Sequence, residues 1–385
     1  MEKKIRLGWL GVGPRGQGLV GCYAHHPQIQ IVAIADYARG RAEEVAAWAT
    51  AVCGTPVKGF QSYEEMVRSV PMDAIMITSD PDCQVDYAVD AMHRGLHVMT
   101  EVPAAFSMKQ CWDLVNTVRA TGVKYQLAEQ TRHWNFVRQW RNMAQSGEFG
   151  KIYYAEGEYL HYEPRWDLLR EKDTHYSVKP STAEEFSDPR YEMSWRYKAF
   201  QNPIYYMPHE LSPLLSITGG RICKVSCFGT RLGSYDNPLI QCRDLQTALM
   251  YNTDDVIFSL RAGFTSPYGP KSVLGAHWYQ IKGSKATVET SRSTLDSMKL
   301  YRAGGEWEAK NWGTEDPDAP DYVREADHGG ADFYPISNFV DAILNDTEPD
   351  MNVYRAVETA APAIMAVESS KAGGALMEIP DFRIK

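Results

Sequence analysis

A chain of 385 residues, 44% hydrophobic and 23% charged, is an ordinary composition for a soluble globular protein and too long for a single core, so two domains are expected. The net charge of −9 argues against a nucleic-acid binder with its basic face, and no apolar run is long enough to span a bilayer. The first apolar strand starts almost at Met1, leaving no room for a signal peptide. The seven scattered cysteines read as reduced core residues, so a cytoplasmic protein is expected.

The first run, Ile5-Arg6-Leu7-Gly8-Trp9-Leu10, ends in Gly11-x-Gly13-x-x-Gly16 with Pro14 and Arg15 between the glycines, and helical spacing follows at Leu19, Val20 and Tyr23. This is the strand, tight turn and helix start that hold a dinucleotide pyrophosphate. Gly11 permits the turn, Gly13 admits the phosphates and Gly16 lets helix and strand pack. A second apolar strand over 29–35 ends in Asp36, about twenty residues beyond the last glycine, where an acid accepts the ribose hydroxyls and favours NAD over NADP. Arg39 and Arg41 lie close enough to keep NADP open.

Further along, residues 41–51 read as a helix, 57–60 as a strand, 62 onward as a helix, 73–78 as a buried strand, 83–94 as a helix and 96–100 as a strand. A capping box at Ser107 to Gln110 opens another helix, and a strand over 124–128 leads to Glu129. Regular alternation with short connections implies a doubly wound parallel sheet, an α/β Rossmann domain over 1–130. Its ligand site lies at the carboxyl ends of the strands. The cofactor residues expected there are Gly11, Gly13, Pro14, Arg15, Gly16, Asp36, Thr78, Asp80, Glu101, Val102, Pro103 and Glu129.

After a helix over 135–146 the pattern changes. A long strand over 152–161 is followed by an irregular aromatic stretch to about residue 205, of a length that is usually functional. A helix over 208–218 precedes successive strands at 222–229, 245–251, 256–264, 272–282, 286–291 and 298–302. Strands in succession imply a mainly antiparallel sheet, making 131–385 a C-terminal α+β domain for substrate and oligomerisation. Residues 304–332 read as a polar excursion. Helices at 333–344 and 353–371 close the chain, the last free to pack back on the first domain.

A Rossmann domain with Glu-x-Pro after its fifth strand, joined to an antiparallel α+β domain, resembles the Gfo/Idh/MocA family of sugar oxidoreductases. In most of that family the tripeptide is Glu-Lys-Pro, and the lysine reaches the nicotinamide and the reacting hydroxyl. Here it is Glu101-Val102-Pro103, and Gln84 stands where relatives often carry histidine, which sets this chain apart from an ordinary dehydrogenase.

Other stretches resemble the NAD-retaining glycoside hydrolase family 109 branch more closely. They are Glu101 to Ala105 with Cys111-Trp112-Asp113-Leu114-Val115, Tyr159-Leu160-His161, Tyr206-Met207-Pro208-His209, His328-Gly329-Gly330-Ala331-Asp332, and Ile379-Pro380-Asp381-Phe382. Departures occur at His133, at Glu210-Leu211-Ser212 and in the long insert, where a sugar would bind. The resemblance also implies a homo-oligomer, dimer or tetramer, through the open sheet face.

The branch's chemistry is transient oxidation at C3, loss of the C2 proton, elimination of the aglycone, water addition and re-reduction. Tyr159 and His161, two apart on a strand, share a face; Tyr206 and His209, three apart at a helix start, share another. All four are catalytic candidates, tyrosine and histidine being types that burial and a neighbouring cation bring toward neutral working pKa values. Tyr206 and His209 are assigned near C3, Tyr159 and His161 to the C2 proton or aglycone. The bland alternatives are packed strand residues for the first pair and a capping or core histidine at His209. Glu101 reads as a cofactor and turn residue. Trp166, Trp195 and Tyr197 are candidates for sugar stacking, and Asp332 is as good a helix cap as a substrate contact. His25, His26, His93 and His97 read as structural, and no cluster has metal spacing, so no metal ion is expected. Three functions remain open at this point. They are a redox-neutral glycosidase or glycoside eliminase, a conventional NAD-dependent sugar or polyol dehydrogenase with His209 as base, and a non-catalytic sugar- or nucleotide-sensing protein.

Overall fold

The structure, a computed structural model, describes residues 4–162, 168–180, 182, 184–235, 240–265, 276–324 and 326–384. Six strands build the first sheet, largely apolar and buried apart from the edge strand β3: β1 (Ile5–Leu10), β2 (Ile29–Ala35), β3 (Lys58–Phe60), β4 (Ala74–Ile77), β5 (His97–Thr100) and β6 (Tyr125–Leu127). All pair in parallel, in the order β3-β2-β1-β4-β5-β6. The connecting helices are α1 (Pro14–Tyr23), α2 (Arg41–Cys53), α3 (Tyr63–Ser69), α4 (Gln84–His93) and α5 (Met108–Thr121). The capping box at α5 forms, with the Ser107 hydroxyl accepting from the Gln110 N–H and the Gln110 carboxamide accepting from the Phe106 N–H. The strand order reverses between β1 and β4, so the ligand crevice opens where Gly11 meets Thr78.

The second domain starts with α6 (Asn135–Gln145) and β7 (Ile152–Leu160). The insert that follows carries a small sheet of β8 (Leu169–Glu171), β9 (Ser177–Val178) and β10 (Tyr191–Met193), then α7 (Trp195–Phe200). Helix α8 (Pro208–Thr218) leads to β11 (Ile222–Gly229), β12 (Gln246–Asn252), β13 (Ile257–Gly263), β14 (His277–Gly283), β15 (Ala286–Glu289), β16 (Met298–Arg302) and β17 (Trp307–Lys310). Helices α9 (Asp321–Arg324), α10 (Phe333–Leu344) and α11 (Val353–Lys371) and strand β18 (Met377–Glu378) finish the chain. The nine-stranded sheet runs β17-β16-β15-β14-β7-β13-β12-β11-β18, and is antiparallel except where β7 pairs with β13. Residues 272–275, expected at the start of a strand, lie outside the described residues. Strand β17 sits in the stretch read as a polar excursion.

Two contacts position the site. Helix α8 crosses β7 at Gly157, where a Cβ would lie 2.8 Å from the Glu210 Cβ, so only glycine lets the helix come this close. Both closing helices return to the first domain. Phe333, Ile336 and Phe339 of α10 share a core with Trp9, Leu19 and Tyr23. Behind α11, Arg119 of α5 donates to the Tyr354 hydroxyl at 3.1 Å and to the Phe382 carbonyl at 2.5 Å. Among the described residues no helix is long and apolar enough to cross a membrane.

Candidate active site

The glycine-rich turn separates what the protein needs from what a ligand needs. Gly11 has φ +86°, and a Cβ there would meet Ser79 N and Thr78 C at 2.7 Å; at Gly16 a Cβ would lie 2.3 Å from the Gly11 carbonyl oxygen. Gly13 differs: φ is −58°, and an added Cβ would find only the Arg41 guanidinium at 3.7 Å. Nothing in the protein demands glycine there, whereas a pyrophosphate lying on the turn would. The first turn of α1 holds no acid and no side-chain cap, so its N–H groups are left for an anion. The residues present therefore fit a dinucleotide. Asp36, 5% exposed, accepts from the Val12 N–H and the Ala38 N–H, both at 2.7 Å, and so ties the turn to the end of β2. Arg41 also lies over the Tyr176 ring, 4.1 Å from its centroid, which places the insert beside the turn.

A cavity of about 350 Å³ opens from Arg15, Thr78, Glu101 and Val102 toward the second sheet. All four catalytic candidates line it: Tyr159, His161, Tyr206 and His209. Strand alternation puts the Tyr159 and His161 rings 4.6 Å apart on one face, and the helix start brings His209 to 5.2 Å and Tyr206 to 6.3 Å from Tyr159. Trp195 also lines the cavity, whereas Trp166 lies outside the described residues.

Behind His209 stands Glu129. Its carboxylate is fully buried, lies 3.1 Å from the His209 Nδ1, and accepts from the Thr131 N–H at 3.0 Å and the Thr131 hydroxyl at 2.7 Å. Burial pulls the His209 imidazolium down, but the Glu129 charge outweighs it and holds the ring above its ordinary value. Burial likewise pushes Glu129 up, and His209 with the Thr131 donors brings it below the usual carboxylate range.

The tyrosines do not move toward neutral as expected. Burial, with Glu210 and Tyr206 adding, drives the Tyr159 phenol well above its ordinary value, and burial does the same to Tyr206. Burial outweighs the neighbouring cations, Arg196 at Tyr206 and Arg15 at Tyr159. Burial, aided by His209, pulls His161 down to about 4.

A second carboxylate–imidazole pair was not visible in the chain. Strand β14 pairs with β7 so that His277 stands opposite Tyr159, its ring 4.9 Å away. The His277 Nδ1 lies 2.6 Å from Oε1 of Glu210, which is fully buried on α8, and the Tyr279 hydroxyl donates to the His209 carbonyl at 3.0 Å. Tyr159 is thus flanked by two imidazoles, each backed by a buried carboxylate.

Other expectations need correction. Glu129, expected at the cofactor, lies behind His209 and does not line the cavity. Asp80 is engaged by the insert, accepting from the Tyr37 hydroxyl at 2.9 Å and from Arg170 of β8 at 3.0 Å. The Thr78 hydroxyl is turned onto the glycine turn, bonding the Gly11 carbonyl and accepting from the Trp9 indole at 2.9 Å. Asp332 precedes α10 but its side chain caps nothing. It takes the Arg15 fork at 2.6 and 2.9 Å and the His328 Nδ1 at 3.0 Å, while Arg15 Nε reaches Glu101 at 2.8 Å. Arg15 thereby clamps the glycine turn, the Glu101-Val102-Pro103 turn and the second domain together. Gln84 supports that turn by donating to the Glu101 and Pro103 carbonyls at 2.8 and 3.1 Å. His133 is half-buried, its ring stacked on Tyr334, and it does not line the cavity. Among the described residues no group of three or more His, Cys, Asp or Glu could hold a metal ion.

Residues 5–129 match the Gfo/Idh/MocA oxidoreductase family, NAD-binding Rossmann fold, and residues 306–384 match the glycosyl hydrolase 109 C-terminal domain. Glycosyl hydrolase family 109 protein 5 of Phocaeicola vulgatus is 26% identical, aligned over 98% of this chain and 77% of its own length. The Alpha-N-acetylgalactosaminidase of Tannerella forsythia is 26% identical over 98% and 86%. Among solved structures, the WlbA dehydrogenase from Bordetella pertussis in complex with NADH and UDP-GlcNAcA superposes with a TM-score of 0.71 at 19% identity, covering 99% of each chain. An oxidoreductase from Agrobacterium radiobacter in complex with NAD⁺, L-tartaric acid and magnesium gives 0.74 at 12% identity over 98% of each, a likeness of fold. This chain is therefore similar to the Gfo/Idh/MocA oxidoreductases over its NAD-binding Rossmann fold and to the glycosyl hydrolase 109 proteins over its C-terminal segment.

Proposed function

We propose that this protein is an NAD-dependent glycosidase working through a redox-neutral cycle. One observation carries the reading. The cavity between the cofactor turns and the second sheet is lined by Tyr159, His161, Tyr206, His209 and His277 and, among the described residues, by no lysine. Bound NAD⁺ supplies an acceptor for hydride from C3 of the sugar and returns that hydride at the end. His209, whose basicity Glu129 raises, takes the C3 hydroxyl proton, and Tyr206 orients that hydroxyl. The C3 ketone acidifies C2–H; His161, neutral because burial depresses it, accepts the C2 proton. Tyr159, kept protonated by burial and its carboxylate neighbours, donates to the departing glycosidic oxygen as the C1–O bond breaks. Water then adds across C1–C2, its hydroxyl going to C1 as its proton restores Tyr159 and the His161 proton going to C2; hydride then returns to C3 and the His209 proton to the C3 oxygen. Trp195 offers a stacking face for the sugar. Phe228, Leu249 and Ile257, exposed on the nine-stranded sheet, support a homo-oligomer through that face.

The test is incubation with nitrophenyl glycosides and NAD⁺, following aglycone and NADH absorbance together, with α-N-acetylgalactosaminide in the panel because the Tannerella forsythia relative bears that name. Aglycone release without NADH accumulation, with solvent deuterium entering C2 and release abolished by His209→Ala, is the expected result. NADH accumulating from free sugars without aglycone release would overturn it in favour of a dehydrogenase.

A further inference from the structure

A second cavity, of about 400 Å³, shares no lining residue with the candidate active site. Four arginines line it, Arg132, Arg141, Arg355 and Arg383, against two carboxylates, Asp350 and Glu358. Asp350 takes Arg132 at 2.8 and 3.1 Å and Arg355 at 3.1 Å. Glu358 is occupied by the Arg383 fork at 2.8 and 3.0 Å. Arg141 forms no ion pair with a carboxylate among the described residues, although the Asp350 charge acts on it. Its Nη2 donates to the Arg132 carbonyl at 3.1 Å and the Ser216 hydroxyl at 3.2 Å, and its Nε is buried without a partner.

Arg132 is only 7% exposed, so the cavity wall holds charge that water screens poorly. Burial first, then the Arg132 charge, lowers the pKa of Arg141, with Asp350 opposing. Ser212 and Ser216 of α8 and Thr359 of α11 line the same wall, their hydroxyls donating to the Met351 sulfur, the Pro213 carbonyl and the Ala356 carbonyl.

We propose that this cavity binds a phosphate dianion, free or carried on a small sugar. Two guanidinium charges beyond the local carboxylates match a dianion, and the guanidinium fork suits phosphate oxygens. The volume exceeds what phosphate alone needs and falls in the range of small-molecule sites. The assignment does not depend on the glycosidase reading.

The experiment is calorimetric titration of the full chain in phosphate-free buffer, saturated with NAD⁺ so that the glycine turn is filled. The probes are inorganic phosphate and glucose 6-phosphate, and the comparison is with Arg141→Gln. Saturable one-to-one binding is expected, weakened at least about tenfold in Arg141→Gln, while its circular dichroism matches wild type. Equal affinities would mean that free phosphate is the occupant, and tighter glucose 6-phosphate binding that the phosphate is sugar-borne; both support the site. No saturable binding of either probe, or unchanged binding in Arg141→Gln, overturns it. Should Arg141→Gln not fold, Arg355→Gln takes its place with the same expected loss.

Discussion

Replacing Glu129 with glutamine removes one charge behind His209 and keeps the shape. In the wild type that charge, 3.1 Å from the His209 Nδ1, reverses the effect of burial on the ring. A hydrogen bond to a charged group contributes about 1.5–3 kcal/mol, and a pKa unit corresponds to about 1.36 kcal/mol. The substitution should therefore lower the His209 pKa by about 1–2 units. A base works in its neutral form, so the acid limb of kcat/KM moves to lower pH, and the maximum falls because the base is weaker. The assay is kcat/KM for aglycone release across about pH 4 to 9, where the acid limb reports the free enzyme. Stability gives an independent check. With its folded pKa raised, His209 contributes stability that is present below its unfolded pKa and lost as pH rises through the folded value. Glu129, with its folded pKa lowered, contributes stability present above its unfolded pKa and lost as pH falls through the folded value. The thermal deficit of Glu129→Gln is thus largest between those limits and shrinks toward alkaline pH. An unmoved acid limb, or one moved upward, refutes the reasoning.

Other substitutions probe the remaining parts. Gly13→Ala should change unfolding free energy by no more than about 0.5 kcal/mol yet weaken NAD binding, because its Cβ would meet only Arg41. Gly16→Ala, with a Cβ 2.3 Å from the Gly11 carbonyl, should cost about 1–3 kcal/mol in denaturant unfolding. Asp332→Asn loosens the Arg15 clamp; with Arg15 34% exposed and the pair partly screened, a loss of about 1–2 kcal/mol and weaker NAD binding are expected by denaturation and titration. Glu210→Gln should leave NAD affinity unchanged and slow aglycone release by about 10²-fold, measured with saturating cofactor.

Local pattern carried far into this molecule and stopped where distant segments meet. Helices α8, α10 and α11 run over the residues their periodicity predicts, as do β11 and β16. Spacing put Tyr159 with His161, and Tyr206 with His209, on shared faces; the family resemblance pointed both pairs at the cleft, and all four line one cavity. His277 gave no such signal, because its place beside Tyr159 comes from β14 pairing with β7, and nothing near either strand encodes that register. Glu210 looked like a departure from a motif until its imidazole partner was in place. Asp332 preceded a helix and so looked like a cap; its actual partner, Arg15, sits at the other end of the chain. Strand β17 has three exposed residues of four, so the alternation that marks a half-buried strand is missing. The tyrosine acidities were misjudged because burial by other elements, which local spacing does not reveal, dominates both phenols.

The position of β7 bears on how the protein is made. The Rossmann strands find their partners within three crossovers, so the first sheet can pair early as the chain emerges, although α10 completes its core only at the end. Strand β7 leaves next but pairs with β13 and β14, as in Tyr154 with Ile257 and Tyr159 with His277, only after the insert, α8 and two further strands have been synthesised. Until then both edges of β7 are bare and Tyr159 has neither flanking imidazole. Closing so long a loop is slow relative to local pairing. The cofactor fold therefore precedes the chemistry, and the exposed intermediate is the stage at which chaperones and aggregation compete for this chain.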